Sequence, residues 1–280
     1  MRVVVSGGAG RVGRFVIEEL AVAGHEVTSL DLAPVTDRNP GIRYMLGNVG
    51  KAEDVYGTLG YAKADAMIHL AAWSDPGIVP DTRTYADNVG ATFNVLDAAE
   101  KLGLRRVILA SSAQVYGFAE HAPLFAPVTE DHPLRPLNSY ALSKIAGENA
   151  AAYFARRGLN TLSFRIMGAR APQDMAAEVD RALTRPERER FLLWTRVDAR
   201  DIAIGCRQAL ETETVPSGIY NLSGSHNIFG RETAELLEKY APEVNRVHVP
   251  SGQTSPFSSD KARASFGYEP VHACAPQAPD

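Results

Sequence analysis

Val3-Val4-Val5-Ser6-Gly7-Gly8-Ala9-Gly10-Arg11-Val12-Gly13 is an apolar, β-branched run ending in a glycine-rich turn, and an apolar helical pattern follows at Phe15, Val16, Ile17 and Leu20. A strand that feeds a helix through such a turn can cradle the phosphates of a dinucleotide. Gly7 allows a tight turn, Gly10 lets the backbone approach a pyrophosphate, and Gly13 lets the helix sit close to the strand. The helix N-terminus presents free N–H groups and the positive end of its dipole to the phosphates. The spacing is G-x-x-G-x-x-G, not the commoner G-x-G-x-x-G, and glycines alone also make ordinary strand-to-helix turns. Context separates the two readings. A strand precedes, a helix follows, and Glu26-Val27-Thr28-Ser29-Leu30-Asp31 reads as a second strand ending in an acid.

The 280 residues suffice for one large α/β domain, alone or with a small lobe. An apolar content of 45% and a charged content of 22% suit a globular protein. A net charge of −4 offers no basic field to nucleic acid or to an anionic membrane. No apolar stretch approaches the roughly 20 residues of a membrane span. The N-terminus enters a strand directly, without the charged leader and apolar core of a signal peptide. Cys206 and Cys274 have no metal-type spacing and read as two unrelated reduced thiols. The expectation is a cytoplasmic protein with no metal, nucleic-acid or membrane partner.

Further along, Arg43-Tyr44-Met45-Leu46 reads as a short strand and residues 51–60 as a helix. Ala66-Met67-Ile68-His69-Leu70 is a buried-strand pattern running into Ala71 and Ala72. Residues 82–102 read as a long helix, with Val89, Phe93, Leu96 and Ala99 at helical spacing and Gly103 as its C-cap. Arg106-Val107-Ile108-Leu109-Ala110 is a strand ending at Ser111-Ser112. A proline-rich loop follows over 117–137, then a helix at 138–157 and a strand at 160–166. This alternation predicts an α/β fold, a doubly wound parallel sheet of the Rossmann type. Such sheets bind ligands beyond the carboxyl ends of their strands. The glycine turn, Asp31, Ala71-Ala72 and Ser111-Ser112 all fall there.

From about residue 168 the pattern loosens. Helices are predicted at 173–184, 198–210, 230–240 and 258–266, and a strand at 218–222. An arginine-rich piece (Arg181, Arg185, Arg188, Arg190, Arg196, Arg200) is interleaved with Glu187, Glu189 and Asp198 and reads mostly as a solvated face with internal ion pairs. The division is a dinucleotide-binding domain over 1–167 and a small C-terminal substrate lobe over 168–280, interleaved with it, with a frayed tail at 273–280.

Tyr140-Ala141-Leu142-Ser143-Lys144 places a phenol and an ammonium one helical turn apart on one face. A neighbouring cation favours phenolate, and a phenol so tuned exchanges a proton with a substrate oxygen near neutral pH. Ser112, at a strand end, is placed to donate a hydrogen bond to that oxygen.

Several segments carry a resemblance beyond these chemistries. They are Ser6 to Gly13, His69-Leu70-Ala71-Ala72, Asn88-Val89-Gly90-Ala91-Thr92, Ser111-Ser112-Ala113-Gln114-Val115-Tyr116-Gly117, Pro136-Leu137-Asn138-Ser139-Tyr140 with Lys144, Val197-Asp198-Ala199-Arg200-Asp201, and Phe266-Gly267-Tyr268-Glu269-Pro270. Over most of its length the chain resembles the extended short-chain dehydrogenase/reductases, a group of NAD-dependent epimerases, dehydratases and sugar dehydrogenases. The resemblance implies hydride transfer with NAD as cofactor. Tyr140 is then the acid/base, Lys144 holds the nicotinamide ribose and lowers the tyrosine pKa, and Ser112 orients the substrate oxygen. Gly7, Gly10, Arg11, Val12 and Gly13 hold the phosphates. Asp31 binds the adenosine ribose and repels a 2′-phosphate. Asn48, Val49, Leu70, Ala71, Ala72, Asn88 and Met167 complete the cofactor contacts. A homodimer through the two long helices is implied as well.

Two departures from the family pattern bear on function. Asn48 stands where the family usually has aspartate at the adenine. Glycine stands at the end of Arg165-Ile166-Met167-Gly168, where members acting on nucleotide sugars usually have asparagine, and the stretch from Gly168 to Asp198 is short for a nucleotide pocket. The expected substrate is a small sugar, sugar acid or related carbonyl or polyol compound, with Ser74, Ser112 and Arg170 touching it. The short lobe is most similar to that of uronate dehydrogenases. The runner-up is a sugar or nucleotide-sugar epimerase or dehydratase. Ala113-Gln114 lacks the acidic pair usual in dehydratases. A non-catalytic NAD sensor is the weakest reading.

Overall fold

The computed structural model describes residues 1–246 and 251–272. Its elements run β1 (Arg2–Ser6), α1 (Gly13–Val22), β2 (Glu26–Asp31), β3 (Ile42–Leu46), α2 (Ala52–Ala62), β4 (Ala66–His69), α3 (Asp81–Lys101), β5 (Arg106–Ser112), β6 (Phe125–Ala126), α4 (Ser139–Arg156), β7 (Asn160–Ile166), β8 (Ala169–Arg170), α5 (Pro172–Leu183), β9 (Val197–Asp198), α6 (Ala199–Glu211), β10 (Gly218–Leu222), α7 (Thr233–Tyr240), β11 (Asn245–Arg246) and α8 (Asp260–Phe266).

Val3, Val4 and Val5 are buried on both faces of β1, which places that strand in the middle of the sheet. The main sheet has seven strands in the order β3-β2-β1-β4-β5-β7-β10, every neighbouring pair parallel. The chain reverses its winding direction at β1 and β4, where Ser6 pairs with His69 and the two side chains hydrogen-bond at 2.7 Å. A ligand crevice is expected beyond that point. On one face α2, α3 and α4 pack through Leu59, Val95, Leu96 and Phe154. On the other, α1, α6 and α8 pack through Val16, Leu20, Ile202, Cys206 and Phe266. This is the doubly wound α/β fold expected from the sequence.

A second core sits beyond the sheet's carboxyl edge, built on Tyr116, Phe118, Trp194, Leu236 and Phe257. Two short parallel pairs, β6 with β11 and β8 with β9, border it. Residues after 167 alternate between sheet and lobe, since β10 and α6 return to the main layers. Predicted boundaries differ from these by a few residues. β5 continues through both serines, and the arginine-rich piece contains a 3₁₀ helix over Pro186–Leu192. Phe93 is exposed and Val89 only half-buried, contrary to the predicted apolar stripe. Leu96 and Ala99 are buried as predicted, and the buried face of α3 continues through Thr84, Asn88, Ala91, Thr92 and Val95, where α4 packs against the helix. Cys206 is a buried free thiol, and Cys274 and the tail at 273–280 lie outside the described residues.

The proline-rich loop is ordered around His132. Its Nε2 accepts from the Leu124 backbone N–H at 2.9 Å, and Nδ1 donates to the Pro133 carbonyl at 2.9 Å. The ring meets Tyr116 and Phe118 edge-on. Burial, with Arg135 and Arg165 nearby, holds the imidazole pKa below its ordinary 6.5. Protonation would set a new N–H against the Leu124 donor. A depressed pKa in the folded state means stability present above pH 6.5 and lost as pH falls below it. The melting temperature of the wild-type chain is therefore expected to fall more steeply on acidification than that of His132→Gln. Equal slopes would take His132 out of this account.

Candidate active site

One cleft of about 900 Å³ opens beyond the carboxyl ends of β1, β2, β4, β5 and β7. The glycine turn and Asp31 line one end, and Ser112, Tyr140, Lys144 and Arg170 the other.

Gly7 has a φ of +77°, and a Cβ there would lie 2.7 Å from the Ala71 nitrogen. A Cβ on Gly13 would run into the Gly7 carbonyl, so Gly13 is demanded by the turn itself. Gly8, to which the sequence assigns no role, packs on Ser29, and a Cβ there would run into the Ser29 hydroxyl. No side chain caps the N-terminus of α1. A bare backbone cradle with unspent N–H donors fits the diphosphate of a dinucleotide.

Arg11, Val12, Val49, Leu70, Ala71, Ala72 and Ser74 line the cleft as well. The Asp31 carboxylate accepts from Ala9 N and Ala33 N, both at 3.0 Å. It ties the glycine turn to the end of β2 while facing the cleft. The Asn48 carboxamide is turned into its own loop, where Oδ1 accepts from Gly50 N at 2.8 Å. Asn88 pins the segment after β4 to α4. Its Oδ1 accepts from Trp73 N at 2.9 Å, and Nδ2 donates to Trp73 O at 3.2 Å and Ser143 Oγ at 3.1 Å. Met167 is a correction. It is fully buried in the lobe core, and Ile166 faces the cleft in its place. The alternation of side chains leaving β7 sends neighbours to opposite sides.

Ser112 hydrogen-bonds Tyr140, and its Oγ accepts from the Gln114 backbone N–H at 3.2 Å. Burial pushes the Tyr140 phenol up to about 12, with the Ser112 hydrogen bond opposing and the Asp75 charge adding to the rise. Lys144 Nζ donates to Ala110 O at 2.8 Å and lies 5.5 Å from the Tyr140 ring centroid. Burial pulls this ammonium down to about 8, against the charge of Glu148. The sequence reading has Lys144 lowering the tyrosine pKa. In the free chain the two shifts run the other way, because both groups are dehydrated together.

Arg170 lines the cleft and pairs with Glu178 at 2.8 Å. Glu178 also pairs with the buried Arg196 at 2.8 Å and with Arg181, while Arg196 reaches Glu189. Arg181, Arg185 and Arg188 are exposed as the solvated face predicts, and Arg196 pairs with Glu189 inside the piece, but Arg196 itself is buried against Glu178. Arg196 and Leu192 close directly over Gly168, whose φ is +59°; a Cβ there would lie 2.5 Å from Leu192 Cδ1. Trp73, Asp75, Arg83, Asp87, Gln114, Phe191 and Leu192 complete the cleft wall unannounced by the sequence reading. Trp73 and Asp75 could have been flagged by their place just past the end of β4, whereas Arg83 and Asp87 sit on the first turns of α3. Phe191 and Leu192 give no such signal, being brought in by the lobe. Among the described residues, no group of three or more His, Cys, Asp or Glu side chains could hold a metal ion. No helix among them is long and apolar enough to cross a membrane.

Comparison with known proteins agrees with this geometry. The model of the NAD-dependent epimerase/dehydratase family matches residues 3–223. The chain belongs to that family. It is accordingly an NAD-dependent enzyme of the extended short-chain dehydrogenase type. A UDP-glucose 4-epimerase of Lactobacillus helveticus is 32% identical, over 97% of this chain and 93% of its own length. An L-arabinose 1-dehydrogenase (NAD(P)(+)) of Haloferax volcanii is 34% identical, over 59% of this chain and 66% of its own. A short-chain dehydrogenase/reductase superfamily protein of Agrobacterium tumefaciens, solved with bound NAD, superposes with a TM-score of 0.73 at 25% identity, covering 97% and 93% of the two chains.

Proposed function

We propose that this family member oxidises a small sugar, sugar acid or related polyol that carries no nucleotide, with Tyr140 as the acid/base. The observation that carries the reading is the wall at Gly168. Leu192 and Arg196 occupy the space that a side chain would need there. That position carries the asparagine of nucleotide-sugar enzymes in the resemblance, and here the Leu192 and Arg196 side chains lie against the glycine. A single cleft of about 900 Å³ must also hold both dinucleotide and substrate, which suits a monosaccharide better than a second nucleotide.

Bound NAD supplies the hydride acceptor and a positive ring whose charge favours phenolate. The chain does the rest. Ser112 donates its hydroxyl to the substrate oxygen, and Tyr140 Oη takes the proton of that oxygen. Lys144 holds the ribose with its ammonium. Asp31 favours the ribose hydroxyls of NAD and repels the 2′-phosphate of NADP. Arg11, Val12, Asn48, Val49 and Leu70 to Ala72 flank the dinucleotide, with Asn88 acting through the backbone it pins. Ser74 and Arg170 face the substrate.

A second reading, sugar or nucleotide-sugar epimerisation, is supported at least as strongly by the comparisons, through the nearly full-length likeness to a UDP-glucose 4-epimerase. It uses the same residues but returns the hydride. Incubation with NAD and a panel of L-arabinose, galacturonate and sorbitol separates the two. Net NADH belongs to the dehydrogenase. Interconversion of UDP-galactose and UDP-glucose without net NADH belongs to the epimerase. Repeating the assay with NADP tests Asp31, and inactivity in every arm would favour a sensor.

We also propose a cytoplasmic homodimer. Tyr85 and Phe93 on α3, with Leu142 and Tyr153 on α4, are exposed apolar side chains on two packed helices. A sedimentation mass equal to one chain would overturn this.

A further inference from the structure

The two amide side chains at the mouth of α4 fix one another's orientation. Asn138 is the N-cap of α4, and its Oδ1 accepts from the Ala141 backbone N–H at 2.8 Å. A backbone N–H only donates, so this end of Asn138 is the oxygen and the other end the nitrogen. Asn138 Nδ2 in turn donates to Gln114 Oε1 at 3.1 Å. The free end of Gln114 is therefore its NH₂ group. Gln114 is half-buried and lines the cleft with Ser112 and Tyr140, and its Nε2 has no partner among the described residues. Its backbone N–H donates to Ser112 Oγ, which leaves the serine proton free to be donated. One residue thus orients the serine and presents a second donor beside it.

We propose that Gln114 is a specificity-determining residue, its carboxamide nitrogen donating to a substrate oxygen other than the one at Ser112, with Asn138 as the positioning residue that keeps the nitrogen outward. An amide nitrogen donates and does not accept, so its ligand atom is a hydroxyl, carbonyl or carboxylate oxygen. A carboxamide carries no titrating proton at working pH. Gln114 therefore holds this oxygen by a hydrogen bond alone, without protonating it.

The proposal rests on the functional reading above, and its test separates the two. The probe is whichever of L-arabinose, galacturonate, sorbitol, UDP-glucose or UDP-galactose the wild-type chain turns over fastest. Gln114→Ala is expected to raise KM about tenfold, a larger change than in kcat, with NAD affinity and melting temperature unchanged. Asn138→Asp is the sharper variant. Aspartate caps a helix as well as asparagine does, but it cannot donate to Gln114 Oε1. The carboxamide then turns to donate to the aspartate and offers its oxygen to the substrate. A comparable rise in KM is expected, and it should vanish in the Gln114→Ala background. An unchanged KM in Gln114→Ala overturns the proposal. An Asn138→Asp effect of equal size with and without Gln114 does so too, since the added charge would then act alone. Wild-type inactivity on every probe overturns the functional reading itself, and this proposal with it.

Discussion

Tyr140→Phe is expected to lower turnover about a thousandfold while leaving NAD affinity within a few-fold of wild type. The phenol is the titratable group that meets Ser112 at the inner end of the cleft, and it is buried there beside Lys144. A positioned acid/base contributes about 10²–10⁴ in rate, and phenylalanine keeps the ring and its packing while removing the group that moves the proton. Little else should change, because the Ser112 Oγ keeps its contact with the Gln114 N–H and Lys144 keeps Ala110 O. The resting phenol stands near 12, so the free chain holds Tyr140 protonated at neutral pH. Tyr140 is thus a ready proton donor for reduction, and serves as a base only once positive charge arrives beside it. Reduction should accordingly tolerate a higher fraction of protonated phenol than oxidation, and its pH optimum should lie lower. Single-turnover rates in both directions, with NAD affinity measured by calorimetry, check this. Turnover unchanged in Tyr140→Phe would remove the acid/base role and raise the sensor reading.

What was legible in the sequence is what short segments decide for themselves. The strand–helix alternation comes from local apolar periodicity, and each strand end lands on the same edge once the strands are parallel. Gly7, Asp31, Ser112 and Tyr140 were found because each lies at the end of a strand or the start of a helix. What stayed hidden depends on segments meeting across the fold. Phe93 looked buried because periodicity marks an apolar face but not which helix covers it. Met167 and Ile166 are neighbours, and only the lobe core decides which of them turns inward. Gly168 could be seen to lack a side chain, but its cause is Leu192, at the end of a 3₁₀ segment with no periodic signature, and Arg196, just before β9. The burial of Arg196 could not be read from that piece, because its partner Glu178 stands on α5, 18 residues earlier in the chain.

The same limit applies to Glu148, which local pattern reads as one more polar position on α4. It is buried, and its Oε1 accepts from Ser111 Oγ at 2.6 Å and Arg165 Nε at 2.9 Å, while Oε2 accepts from Arg165 NH2 at 2.8 Å. Arg165 in turn donates to Tyr116 Oη and Glu130 O, both at 3.0 Å. Burial opposes the charge of Arg165, and its contacts with Glu148 and Tyr116 outweigh burial, holding the guanidinium above its ordinary pKa. Glu148→Ala would leave that guanidinium dehydrated and without its counter-charge, which costs about 3–5 kcal/mol by chemical denaturation. The double variant Glu148→Leu with Arg165→Met should recover most of this, because paired removal of a buried ion pair is often close to neutral. A loss equally large in the double variant would mean that packing, not the stranded charge, sets the penalty. The site should respond in a second way. Glu148 raises the Lys144 pKa, so its removal lowers that pKa below about 8. Lys144 would then lose its proton at lower pH, and the alkaline limb of NAD binding should move toward neutrality in any variant lacking Glu148 that still folds. Glu148 therefore links the strand that presents Ser112 to the helix that presents Tyr140 and Lys144, and a change there should register in both stability and cofactor binding.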